Sequence, residues 1–575
     1  MAYGPMAKKW HIRPKSPLAQ KLAKNLGINS ILAQVLINRG VRDEESARAF
    51  MFPRLADMPD PWLLPDMEKA VDLVCTSIAN QDPITIYGDY DADGLTGACL
   101  LYHFFKDLGV PCAVYVPNRL KEGYGLNHEA VRKIRGAGQG LLITVDCGVS
   151  NEQEVALARE LGMKVIVTDH HRIPKDIRFH CPVINPQRAD SSYPGMELAG
   201  VGVAFLLAVG VRARLRERGY FGGRAEPDMR DFLDLVAVGT VADQVPMLGQ
   251  NRAFVKYGLS RLMSTRWPGL EALVESSAAD PKNIDSTVVA FRVAPRLNAP
   301  GRISSPDICL RILMAEEKES VVQLASEINA VNALRQRLEQ DVLRDIAGVI
   351  ERNESILDKK VLVFGKEGWH EGVLGIVASR LVDKYYRPTL VLTFEGQKAK
   401  GSGRSIDKFN LYEAVCRIGD LLDRFGGHSH AAGFSLQRAK FNELKKTITE
   451  IAEESLEGED LRPVLNIDAE VHFKEISRKL VDALDTLAPY GNGNPEPIFC
   501  TRSVQVLEAR VVGEKHLKML LREDGKLYDA IGFHMGTKIP WVGTHIDIAY
   551  TPKLNSWQGY ESLQLKLADF REHVP

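Results

Sequence analysis

Cysteine is scarce in this chain. Eight residues in 575 (Cys75, Cys99, Cys112, Cys147, Cys181, Cys309, Cys416 and Cys500) form no C-x-x-C pair, which argues against a disulfide framework or a zinc ribbon. No apolar run approaches the roughly 18–20 residues needed to span a bilayer. The opening stretch MAYGPMAKKWHIRPK lacks the apolar core of a secretory signal, so a cytoplasmic protein away from membranes is expected. There is no internal repeat and no low-complexity tract, and the 47 glycines show no collagen-like period. Charge of either sign is not in excess. With 73 Lys+Arg against 74 Asp+Glu the formal net charge is −1, a balance that by itself argues against a nucleic-acid binder.

What is present is an ordinary globular composition, 45% apolar and 26% charged. At roughly 100–200 residues per domain, the length suggests three to five domains. Residues 1–60 carry ten Lys+Arg, from Lys8 to Arg54, against five Asp+Glu. This is either a solvated arm or a surface that meets polyanions. From about 70 to 190, β-branched runs at 84–89, 113–118, 141–146, 164–169 and 182–186 alternate with helical stretches such as 94–107 and 151–161. That alternation predicts a parallel sheet covered by helices. Residues 197–218 and 230–242 read as further helices, although the second could also be a buried strand.

The segment 307–347 contains neither Gly nor Pro, and its apolar residues recur at three- and four-residue steps. One long amphipathic connecting helix is expected there. A second α/β unit follows at about 359–455, with strands KVLVF and TLVLTF, a helix from Val373 to Lys384 and a pair of glycine-rich loops. From about 465, five alternating β-segments predict a small barrel, of which the OB-fold is the common case. The whole is expected to be an α/β multidomain protein. Its divisions would be a basic N-terminal segment (1–65), a parallel-sheet domain (66–305), a connecting helix (306–355), a second α/β domain (356–458) and the C-terminal barrel (459–575).

Acids gather where the apolar runs end. ITIYGD leads into YDADG, supplying Asp89, Asp91 and Asp93; LLITVD ends in Asp146; KVIVTD ends in Asp169 and is followed by His170 and His171; and VADQVP carries Asp243. Ligands of open parallel sheets bind outside the carboxyl ends of the strands, so these side chains should share one rim. A lone Asp after a strand is commonly a turn or cap residue, and DADG alone could begin a calcium loop. However, LTGACLLYHF supplies none of the further oxygen ligands that such a loop needs. Carboxylates packed together resist ionising, and a divalent cation removes that difficulty. Mixed Asp/His ligands suit Mn²⁺ or Mg²⁺, and two ions would stabilise both the attacking and leaving oxygens in phosphoester cleavage.

At these residues the chain resembles the DHH phosphoesterase superfamily, with YGDYDADG, VDCG, TDHH and VADQVP matching its four motifs in order. The resemblance implies catalytic roles for Asp89, Asp91, Asp93, Asp146, Asp169, His170, His171 and Asp243. Of these, Asp91, Asp93, Asp146, His170 and Asp243 would hold the metals, with Asp169 and His171 in support. Many relatives carry a His where Tyr87 stands, so that position is filled differently and the acid that bridges the metals is left open. GWHEGVLGIVASRL, GSGRS and FGGHSHAAGF resemble the superfamily's substrate-binding DHHA1 domain.

Length and the barrel then point to the branch of single-stranded-DNA-specific 5′→3′ exonucleases, in contrast to two-lobed phosphodiesterases of short oligonucleotides or cyclic dinucleotides or a non-catalytic replication scaffold. The resemblance to that branch implies a 5′-phosphate pocket of Arg119, Arg302, Ser402, Arg404, Gly427 and His428. It also implies an OB-fold that grips single strands, with Trp541, Trp557 and Tyr560 as stacking candidates. The enzyme would be a monomer serving DNA repair and recombination, with a single-strand-binding protein and a RecQ-type helicase as partners.

Overall fold

The computed structural model describes residues 7–574 apart from 139, 175–176, 179, 279, 281–282 and 558–559. The chain divides into two compact units. One is Arg39–Asn332 together with Leu484–Glu496; the other holds the residues up to Asn38, Ala333–Ala483 and the chain from Pro497 onward.

In the first unit, five parallel strands lie in the order Cys112–Tyr115, Ile84–Gly88, Leu141–Val145, Lys164–Thr168, Val183–Ile184. The two central strands are buried at every position, as expected of a parallel sheet covered on both faces. Their side chains alternate between two cores. Ile84, Ile86, Ile143 and Val145 join the helices Met67–Ala79, Ala92–Asp107 and Gly200–Glu217. Tyr87 and Leu142 join His128–Gly136 and Glu152–Glu160 on the other face.

The stretch that could have been helix or strand is the helix Leu233–Ala242, buried along its length, which is why its periodicity was uninformative. The expected single helix from 307 is instead two, Asp307–Leu313 and Lys318–Arg352. The buried His103 is held neutral by desolvation, with a pKa of about 4, and its Nε2 donates to the Leu313 carbonyl at 2.8 Å. That carbonyl is thereby diverted to a side chain at the helix end, and Lys106 pairs with Glu316 in the gap.

In the second unit, a five-stranded sheet runs Arg424–His428, Ala431–Gln437, Lys398–Arg404, Thr389–Glu395, Leu362–Glu367. The segments expected to be glycine-rich loops, GSGRS and FGGHSHAAGF, are therefore largely strands. Packing explains the glycine: a Cβ on Gly401 would lie 2.4 Å from the Phe434 ring across the pair. The barrel is as expected. Phe499–Val512, His516–Glu523, Lys526–Gly532, Tyr560–Glu572 and His545–Trp557 pair in sequence, and the last closes on the first, the architecture of an OB-fold.

The basic N-terminal segment is folded. Lys9–Ile12 pairs in parallel with Val464–Ile467, and helices Pro17–Leu26, Ser30–Asn38 and Glu44–Met51 follow. All eight cysteines are free thiols. None of the described helices is long and apolar enough to cross a membrane.

The helix Leu233–Ala242 packs against Gly249–Leu262 through Gly258, where a Cβ would stand 2.1 Å from the Leu233 carbonyl oxygen. Gly258→Ala should therefore destabilise this unit by about 1–3 kcal/mol, the usual cost of overpacking, read as a lowered urea midpoint.

Candidate metal centre

The local backbone explains how each acid reaches the rim. Asp89 follows directly on the strand Ile84–Gly88. Asp91 caps the helix Ala92–Asp107, accepting the N–H of Asp93 at 3.0 Å and of Gly94 at 3.1 Å. Gly94 must be glycine, since a Cβ would lie 2.6 Å from the Asp89 backbone. Asp93 receives the N–H groups of Gly200 and Val201 at 2.6 and 2.8 Å. These are donors left open at the start of the next helix, a natural seat for a carboxylate. Asp146 adopts a left-handed φ of 62°. Its Cβ lies so close to Gly200 that any side chain there would come within 2.5 Å of it.

Asp169 and the two histidines divide into a support and a site. Asp169 is fully buried. Its Oδ1 accepts the N–H of His170 and of His171 and meets His171 Nδ1 at 2.8 Å, while its Oδ2 accepts the Val149 N–H. Burial opposes its charge, but the His171 ring and these donors prevail and hold it below the ordinary carboxylate value. Burial likewise opposes a charged His171, yet Asp169 prevails and lifts the imidazole to about 9. Desolvation first, and the neighbouring His171 second, depress His170 to about 4, leaving it the neutral imidazole that a metal needs.

His170 Nε2 lies 3.1 Å from Asp146 Oδ1, 3.6 Å from Asp243 Oδ2 and 3.9 Å from Asp93 Oδ2. Three overlapping sets bring their donor atoms within 4.8 Å of one another: Asp93, His170 and Asp243; Asp89, Asp91 and Asp146; and Asp146, His170 and His171. Asp146 is the one acid that belongs to two of them. Burial, and after it the facing carboxylates, push Asp89 and Asp146 well above the ordinary value, Asp93 to about 7 and Asp243 to about 8.

Asp89 Oδ1, Asp146 Oδ1 and His170 Nε2 are buried and, among the described residues, have no hydrogen-bond partner. Buried polar atoms are otherwise almost always satisfied. A hard oxygen-and-imidazole set with orphaned donors fits Mn²⁺ or Mg²⁺. Cys147 stays out of it, its sulfur facing the Tyr87 carbonyl. Tyr87 also turns away, donating its hydroxyl to the Gly125 carbonyl at 2.8 Å.

Sequence reasoning passed over several supports. Asn298 accepts the Ala92 N–H between Asp91 and Asp93 at 2.8 Å, and Tyr124 donates to the Asp146 carbonyl at 3.3 Å. The carbonyls of His171 and His170 are met by Asn185 and Gln187. The last pair stands in VINPQ, Asn185 inside the recognised run 182–186 and Gln187 directly after it, and these two amides at the strand's end were the available signal.

The expected phosphate groups fall into two sets. In the first unit, Arg119 lies 5.3 Å over the Tyr90 ring, and Arg302 stands in the helix Ala294–Ile303 next to Gly301, where a Cβ would meet the Tyr90 carbonyl oxygen at 2.9 Å. In the second, Arg404 donates to Ser402 Oγ at 3.2 Å. Both lie against Gly375 in the first turn of the helix Leu374–Tyr385, where a Cβ would meet the Arg404 guanidinium at 2.8 Å and Ser402 Oγ at 3.1 Å. Gly427 has φ 148° and a Cβ there would strike the Ala431 carbonyl at 2.2 Å. His428 pairs in register with Ala431, which in turn pairs with Arg404. In the barrel Trp541 is 83% exposed, while the side chains of Trp557 and Tyr560 lie outside the described residues.

Known proteins are similar to this chain. The family model for the DHH family, N-terminal domain, matches residues 83–240, that for the DHHA1 domain matches 358–454, and that for the RecJ OB domain matches 467–569. The single-stranded-DNA-specific exonuclease RecJ of Bacillus subtilis is 37% identical over 568 residues, covering 98% of this chain and 70% of that protein. The RecJ of Salmonella typhimurium is 35% identical, covering 94% and 95%. The crystal structure of RecJ in complex with Mn²⁺ from Thermus thermophilus has a TM-score of 0.84 at 30% identity, over 99% of this chain and 80% of that one.

Carboxyls lifted to about 7 and 8 are partly protonated near neutrality, and an ion must displace those protons. Mn²⁺ affinity of the metal-free protein should therefore fall as pH falls through 8 and 7, with proton release on binding. Calorimetric titrations in buffers of different ionisation enthalpy would measure both.

Proposed function

The chain belongs to the RecJ family of single-stranded-DNA-specific exonucleases, and on that premise we propose that it digests single-stranded DNA from the 5′ end to 5′-mononucleotides at a centre of two Mn²⁺ or Mg²⁺ ions. The observation that carries the proposal is the set of buried, orphaned oxygen and nitrogen atoms on Asp89, Asp146 and His170, ringed by Asp91, Asp93 and Asp243. Bound there, the cations supply charge stabilisation for the attacking and leaving oxygens of the phosphodiester.

The chain's own residues do the rest. Asp91, Asp93, Asp146, His170 and Asp243 hold the ions, and Asp89 completes the rim. Asp169 fixes the orientation of His171 and keeps it charged. With Nδ1 engaged by Asp169 and Tyr124, His171 has Nε2 to offer to a phosphate oxygen. Arg119 and Arg302 hold the strand's phosphates on the metal-bearing unit. Ser402, Arg404, Gly427 and His428, beside a helix N-terminus, receive the terminal 5′-phosphate. Trp541 on the barrel stacks on a base. The same reading has a cytoplasmic monomer working in DNA repair and recombination, with a single-strand-binding protein and a RecQ-type helicase.

Digestion of end-labelled single and double strands with Mn²⁺ tests this. A 5′ label should be released first, from single strands only, and chelation should stop the reaction. First release from the 3′ end, or cleavage of dinucleotides alone, would overturn it. Asp146→Ala should cost at least about two orders of magnitude in kcat, the scale of losing one charge-stabilising group. Arg404→Ala should instead raise KM for 5′-phosphorylated strands about tenfold, the worth of one charged hydrogen bond, and leave 5′-hydroxyl strands unaffected.

A further inference from the structure

Asp243 is held differently from the other acids. It stands at the end of the helix Leu233–Ala242, its side chain is the more open at 27% exposure against 1–3% for Asp93 and Asp146, and no described hydrogen bond reaches its carboxylate. Apart from the His170 ring at 3.6 Å, its position is therefore set by its backbone. That backbone leaves the helix through Gln244, a non-glycine residue at φ 59°, a conformation that persists only where surrounding contacts enforce it.

The enforcing contacts come from Leu484–Glu496, the short stretch that belongs to the same compact unit although the chain on either side of it does not. Asn492 Nδ2 donates to the Gln244 carbonyl at 3.0 Å, and the Asn492 carbonyl accepts the Met247 N–H at 2.7 Å. The flanking glycines allow this approach: a Cβ on Gly491 would lie 3.1 Å from Met247, and one on Gly493, at φ 71°, 3.2 Å from Leu248.

The turn itself is firmly anchored. Gly491 and Asn494 exchange backbone hydrogen bonds, and the buried Asn494 donates to the Leu487 and Pro489 carbonyls. Arg252, 1% exposed, donates to the carbonyls of Leu487, Ala488 and Pro489 and, across from them, to Phe50. Ser286 Oγ secures the Tyr490 carbonyl at 2.6 Å.

We infer that the turn Tyr490–Asn494 is a positioning element for the metal centre, with Asn492 fixing the Gln244 carbonyl and thereby the place of Asp243. The inference rests on reading Asp243 as a holder of the metal. Asn492 touches neither the metal nor the substrate, and it is exposed, so replacing it does not open the core.

The test titrates Mn²⁺ into metal-free full-length protein by calorimetry or electron paramagnetic resonance, comparing wild type, Asn492→Ala, Asn492→Asp and Asp243→Asn. Asn492→Asp keeps the shape but replaces the donor with an acceptor facing a carbonyl. Both Asn492 variants should bind Mn²⁺ about tenfold more weakly, the scale seen when a partner behind a metal ligand is lost. Their kcat at limiting Mn²⁺ should fall in parallel and recover as Mn²⁺ is raised, with KM for single-stranded DNA unchanged. Wild-type Mn²⁺ affinity in both Asn492 variants, beside weakened binding in Asp243→Asn, would overturn the positioning role; so would a lower melting temperature with unchanged affinity. Unchanged binding in Asp243→Asn would overturn the reading of Asp243 itself.

Discussion

Too many carboxylates in too little water is the condition around which the first unit is built. Two unit charges 4 Å apart in a surface-like medium interact by roughly 4 kcal/mol, and Asp89, Asp91, Asp93, Asp146 and Asp243 meet within overlapping groups of that size. Among the described residues, no lysine or arginine forms an ion pair with them. The raised carboxyls are the direct consequence: without a cation, the rim must hold protons. The surrounding glycines follow from the same requirement. Gly94, Gly200 and Gly239 lack side chains where backbone must touch Asp89, Asp146 and Asp93, because the acids can converge only if the helices that carry and cap them also converge.

Within that rim, similar residues are put to different uses by their donors. Asp93 and Asp169 each take two or more backbone N–H groups. Asp169 has the His171 ring besides and stays charged as its fixed anchor, whereas burial, and after it the facing Asp91, leave Asp93 partly protonated near neutrality. The adjacent histidines diverge for the same reason. His171 sits against a carboxylate and is charged, while His170 is desolvated and neutral. An Asp-His-His run thus supplies an orienting acid, a neutral imidazole and a cation in successive positions.

The acids at strand ends were legible because strand and acid are contiguous in the chain. ITIYGD, LLITVD and KVIVTD each specify a buried strand and the residue at its carboxyl end. Asp243 was legible as a candidate but its element was not, since a helix that is apolar all round has no face to read. The glycine segments were misread as loops because glycine signals both turns and close packing, and only the partner Phe434, more than thirty positions from Gly401, decides between them. The carbonyl at the helix end near 314 is met by His103, 210 residues earlier in the chain. Asn298 and Asn492 act on residues 206 and 248 positions away. Their motifs, PRLNAPGR and PYGNGNPEP, are visible in the sequence, but nothing local says what they touch.

The balanced charge of the chain is resolved by placement. In the metal-free state the acidic rim would repel a polyanion, whatever basic groups the chain carries elsewhere. On the proposed assignment, the charge of two divalent ions would match the four carboxylates that hold them, leaving Asp89 as the rim's remaining acid, and a phosphodiester could then approach. The near-zero total is therefore silent on nucleic acid: the local sign at the rim, and not the sum over 575 residues, decides what can approach it.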